Sequence, residues 1–104
     1  MSANPSLSAA SVLEMRARVP EHVVHRQFAE ETVILNLKTG LYHGLNVSGG
    51  RFIDVLDRAP SVAVAAEWLA KEYDQPLEQI ERDLAEFCIA LGERDLLALL
   101  PGAE

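Results

Sequence analysis

Apolar and polar positions change period along the chain, and the change divides it in two. From Val23 onward, β-branched and apolar residues come in three short runs, VVHRQF, TVILNL and LYHGL, separated by AEE and by KTG. Runs of this length between turn formers predict three strands. Linkers of about three residues join only antiparallel neighbours, so the strands form a meander whose first and third members are its edges. Gly40 ends the second turn, where a bulged hairpin needs a left-handed residue.

After Leu45 the period becomes helical. Phe52, Ile53 and Leu56 predict a first helix from residue 49 to 57 or 58, with Ser48 placed to cap its free N–H groups. A second helix, VAVAAEWLAKEY, opens behind Pro60 and Ser61 and turns Val62, Ala65, Ala66, Leu69 and either Tyr73 or Trp68 inward. The third and longest, LEQIERDLAEFCIALGERDLL, starts at Pro76, which a first turn tolerates because its missing N–H would have no partner there. Its apolar stripe carries Leu77, Ile80, Leu84, either Cys88 or Phe87, and Leu91, while Glu78, Glu81, Arg82 and Glu86 lie largely opposite.

Residues 1–20 are rich in Ser, Ala and Pro and predict a flexible N-terminal tail holding at most a fragile helix near 12–18, since Pro20 disfavours helix at Val19. One domain over 21–98 and a short C-terminal tail over 99–104 complete the expected organisation. The fold class is α+β, a three-stranded antiparallel meander followed by three helices in a winged-helix-like order.

Charge narrows the partners. Nine basic against sixteen acidic residues give a formal net charge of −7, which repels phosphate backbones and anionic lipid alike. Neither nucleic acid nor membrane is an expected partner. A single cysteine, Cys88, makes no intrachain disulfide and is no zinc site by itself, which suits a reducing cytosol. No run approaches the roughly 18 apolar residues of a membrane span, and no basic start precedes an apolar run, so a soluble cytoplasmic protein is expected.

Candidate chemistry is sparse. GLNVSG matches the G-x-x-x-x-G opening of a phosphate-binding loop, but Gly50 and Arg51 stand where the lysine and the magnesium-binding hydroxyl belong. The glycine pair is better explained as a sharp strand-to-helix turn. His22 and His25 are three positions apart, on opposite faces of a strand, and with His43 they make no evident metal site. Cys88 falls on an apolar stripe with no base beside it, and Asp54, Asp57, Asp83 and Glu86 are not paired as acid and base. Neither catalysis nor a cofactor is expected.

A winged helix often reads DNA with its last helix, yet this one carries Glu78, Glu81, Asp83, Glu86, Glu93 and Asp95 against Arg82 and Arg94. A DNA-binding transcriptional regulator therefore stands as the alternative. The remaining opportunity is the sheet edge. LYHGL combines apolar and aromatic residues with a glycine, and an extended peptide can add to such an edge as an extra strand beside an amphipathic helix. Four backbone hydrogen bonds at about 1 kcal/mol each fall short of the roughly 8 kcal/mol of a micromolar complex, so side-chain pockets must contribute the rest.

The run VILNLKTGLYHGLNVSGGRFIDVL, followed by VAVAAEWLAKEYDQPLEQIERDLAEFCIALGERDLL, resembles the PqqD family. That family comprises the recognition elements of ribosomally synthesised, post-translationally modified peptide (RiPP) pathways. The pieces that carry the resemblance are LKTGLYHGLN, SGGRFIDVL, EYD and a final helix closing in LL, over residues 20–97. It implies three strands and three helices and a non-catalytic chaperone. Such a protein binds the leader of a precursor peptide as a strand along the third strand and presents it to a modifying enzyme, such as a peptidase, cyclase or radical enzyme. The implied peptide-binding residues are Leu41, Tyr42, His43, Gly44 and Leu45 on the strand. On the third helix they are Asp83, Phe87, Ala90 and Leu91, according to the rotation of that helix. The implied partners are the leader and the modifying enzyme of the same pathway.

Overall fold

The computed structural model describes residues 8–102. It begins with a helix α1 (Ala9–Leu13) and a strand β1 (Arg16–Arg18), in the stretch expected to be a flexible tail. Both are tied into the fold. Val12 and Ala17 are buried core residues, and β1 pairs antiparallel with a strand β5 (Ala98–Leu100) at the far end of the chain, Ala17 opposite Leu99. One Arg18 guanidinium nitrogen donates to the carbonyls of Leu56 and Ala59 at 3.1 and 2.9 Å, and Val62 N–H donates to Met15 C=O at 2.8 Å. The remainder of the two expected tails, residues 1–7 and 103–104, lies outside the described residues.

The meander is as the pattern predicts. Strands β2 (Val23–Gln27), β3 (Thr32–Asn36) and β4 (Tyr42–Leu45) form an antiparallel sheet in that order. Along β3, Thr32, Ile34 and Asn36 are buried while Val33 and Leu35 are half-buried, so one face of the sheet closes on the core. Gly40 has φ +78°, in the left-handed region the turn requires. The same turn is held by Asn36, whose side-chain oxygen accepts from the N–H groups of Lys38 and Thr39 at 2.9 and 3.3 Å.

Three helices follow: α2 (Val47–Arg58), α3 (Val62–Tyr73) and α4 (Leu77–Glu93). α2 starts two residues before the expected position. Its cap is Asn46 rather than Ser48, with the Asn46 side-chain oxygen 2.8 Å from Gly49 N–H, because Asn in extended backbone caps as well as Ser and is met first. Ser61 caps α3 through Val64 N–H at 3.1 Å. Pro76 is the residue before α4 and not its first helical one.

Ile34, Ile53, Leu56, Leu69, Leu84 and Leu96 are among the largest fully buried side chains, so sheet and helices share one core. Of the positions left open by the pattern, Cys88 is buried and Phe87 only half-buried, and Tyr73 is half-buried while Trp68 is exposed. Leu77 leaves the stripe and is exposed, because the helix begins there, beyond the edge of the core.

Candidate functional site

β4 is an edge strand, and the ladder fixes which of its backbone groups are free. Asn36 N–H donates to Leu41 C=O at 2.9 Å, and Ile34 and Thr32 stand opposite His43 and Leu45. Hydrogen-bonded and non-hydrogen-bonded pairs alternate in an antiparallel ladder, so His43 and Leu45 bond to β3, whereas Tyr42 and Gly44 point their N–H and C=O groups away from it. The β2–β3 ladder agrees. Phe28 N–H donates to Glu31 C=O and Leu37 N–H to His22 C=O, both at 2.7 Å, which turns the groups of Val33 and Leu35 to β2 and those of Thr32, Ile34 and Asn36 to β4.

Beside this open edge lies a cleft of about 810 Å³. One wall is the end of β4 at Gly44 and Leu45, leading into Asn46 and Ser48. The other is α4, through Gln79, Ile80, Asp83, Glu86 and Phe87, with Tyr73 and Gln75 at one end. Phe52 and Phe87 pack edge to face in the floor, their ring centroids 5.3 Å apart. Gly49 lets the start of α2 approach both walls, since a Cβ there would stand 3.2 Å from Leu45 Cβ and 3.5 Å from Phe87 Cε1.

Of the strand residues implied by the family resemblance, Gly44 and Leu45 line the cleft, His43 is half-buried on the core side of β4, and Leu41 and Tyr42 are strongly exposed. Leu41 precedes the strand, in the turn. At Gly44 a Cβ would meet Glu31 Oε1, the end of a flexible side chain, at 2.9 Å on the outer face of the sheet. On α4, Asp83 and Phe87 line the cleft, Ala90 is exposed outside it, and Leu91 is buried in the core. Among the lining residues outside that expected set, Phe52 on α2 and Ile80 and Glu86 on α4 bring further side chains to the cleft. Glu86 follows Asp83 by three, the spacing that puts two helical residues on one face, and that signal was present.

Electrostatics leave the cleft acidic. Among the described residues, no lysine or arginine lines it. Arg51, at the hydroxyl position of the phosphate-loop pattern, is held by a two-pronged bond to Glu72 at 2.8 Å and by Asp54 at 2.7 Å. The bond to Glu72 pushes the guanidinium pKa up and holds the Glu72 carboxyl below its usual range. Burial pushes the Cys88 thiol up to about 12, leaving no thiolate near neutral pH. Among the described residues, no three His, Cys, Asp or Glu side chains gather to hold a metal ion, and no helix is long and apolar enough to cross a membrane.

A strand edge open to an apolar-floored cleft suits an extended peptide, and the comparisons with known proteins bear on that geometry. Residues 31–97 match the family model for Coenzyme PQQ synthesis protein D (PqqD). The chain belongs to the PqqD family. Among solved structures of similar fold, TbiB1 in complex with the TbiA(beta) leader peptide is 32% identical, with a TM-score of 0.69 over 77% of this chain and 93% of that one. A lasso peptide synthetase B1 complexed with its leader peptide is 25% identical at TM-score 0.69, covering 80% and 98%. The PqqD truncation of Methylobacterium extorquens PqqCD, described as a stand-alone RiPP recognition element, shares the PqqD fold at 21% identity and TM-score 0.67, covering 79% and 87%. No curated protein matches.

Proposed function

We propose that this PqqD-family protein binds the leader segment of a precursor peptide as a fourth strand on β4 and presents it to a modifying enzyme. In this role it is a recognition domain without catalysis of its own, working in the cytoplasm. The observation that carries the proposal is the free hydrogen-bonding edge at Tyr42 and Gly44 running into the cleft between β4 and α4. The leader complexes of two relatives support it. DNA binding finds no support among these relatives, and α4 carries Glu78, Glu81, Asp83, Glu86 and Glu93 against Arg82, which repels a phosphate backbone.

The proposed geometry has a periodic signature. A guest residue opposite Tyr42 or Gly44 exchanges hydrogen bonds with it, while the guest residues between them point their N–H groups outward. Labelled candidate leader peptides, scanned with proline, are expected to lose affinity at every second position of the paired segment. In hydrogen exchange, the amides of Tyr42 and Gly44 are expected to be fast in the free protein and slow in the complex, and those of His43 and Leu45 slow in both. Binding that tolerates proline at every position sinks strand addition.

A further inference from the structure

Cross-strand neighbours share a face, so a guest on β4 turns the residues opposite His43 and Leu45 toward the cleft and those opposite Tyr42 and Gly44 to the outer face. Successive cleft-facing guest residues are thus two positions apart. Two kinds of surface await them. The floor is apolar, built of the Phe52–Phe87 pair and Ile80. The wall above it presents Asp83 and Glu86, three apart on α4 and both exposed.

What sets these two apart from Glu78, Glu81 and Glu93 on the same helix is that they line the cleft. Asp54 and Glu72 are held by Arg51, and Asp95 by His22 and Lys38, whereas no basic side chain among the described residues pairs with Asp83 or Glu86. On the opposite side of the edge, the Glu31 carboxylate lies against Gly44. An added strand would run between carboxylates on both faces, and its own backbone would displace water from them and strengthen their field.

We propose that the cleft selects a leader segment carrying a lysine or arginine two residues from an apolar anchor, the anchor seated on Phe52 and Phe87 and the cation between Asp83 and Glu86. This rests on the strand-addition reading and adds to it the charge of the guest. Asp83 and Glu86 determine specificity; the hydrogen bonds of β4, common to any sequence, do not.

The test is a selection of random dodecapeptides displayed against the full chain and, in parallel, against the Asp83→Asn/Glu86→Gln variant. The substitutions preserve shape at exposed helix positions, and an unchanged melting curve verifies the fold. Peptides selected on the parent chain are expected to be enriched in Lys or Arg two residues from an apolar position, and those selected on the variant are not. Replacing that basic residue by Gln in one selected peptide is expected to weaken binding about fivefold to the parent and to leave binding to the variant unchanged. Selected peptides that bind at the β4 edge without a basic preference, or a Gln replacement that costs the same on both proteins, overturn the charge proposal and leave strand addition standing. A selection that yields no peptide competing at the cleft overturns both.

Discussion

Two glycines six residues apart separate tolerance from necessity. A Cβ at Gly50 would overlap the hydroxyl of Thr32, which is buried on β3 and has nowhere to move. Gly50→Ala is expected to cost about 1–3 kcal/mol in urea denaturation, the range for overpacking a closed site. A Cβ at Gly44 would meet only the end of the Glu31 side chain, which can swing into solvent, so Gly44→Ala is expected to stay within about 0.5 kcal/mol. Cys88 gives a third check at this scale. Its thiol is raised by burial from 9.0 to about 12, so the folded state holds the proton more tightly than the unfolded one. The stability this contributes is complete below pH 9 and is lost as pH rises toward 12. A thiol reagent at pH 8 is expected to label the native protein only at its rate of unfolding, with labelling accelerated by urea. Rapid labelling without denaturant would place the thiol outside the core.

Elements differ in how plainly the sequence announces them, and the difference is one of range. The meander and the three long helices carry their own signals in strict period, in Gly40 at its turn and in Ser61 at its cap, each readable within a few residues. β1 and β5 have three residues apiece and become strands only by meeting each other across the whole chain, which no local period encodes. α1 has five residues, too short to show amphipathicity, and is ordered by burying Val12. The cleft was half legible for a related reason. The edge strand and Asp83 and Phe87 follow from pattern and family, whereas the inclusion of Phe52 and Ile80 depends on how α2 and α4 pack together. Ending the chain after Leu97 would remove β5, leaving β1 unpaired and uncovering the part of the core against which Leu99 packs. Such a truncation is expected to lower stability by about 2–4 kcal/mol through lost apolar burial and pairing, measured by urea denaturation. An unchanged midpoint would mean that the two terminal strands are ornaments of the fold.

At the scale of the whole molecule, the two sheets do not touch through a ladder, so their cooperation rests on the helices. β1 passes its Arg18 to the end of α2, and α2 begins where β4 stops, with Gly50 against Thr32. A single core with Ile34, Ile53, Leu69 and Leu84 all fully buried gives no boundary along which the meander could separate. The chain is therefore expected to unfold in one transition. Its single tryptophan, Trp68 on α3, reports the helices by fluorescence, and exchange of the amides of Ile34 and His43 reports the meander. A guest peptide touching only β4 and the cleft must then stabilise regions it never meets. At one hundred times its dissociation constant it adds about 2.7 kcal/mol to the native state, which for a domain of this size raises the melting temperature on the order of 10 °C or more. Both probes should shift by the same amount. A shift seen in the meander amides but not in Trp68 fluorescence would mean that the sheet melts apart from the helices and that binding stabilises only the sheet.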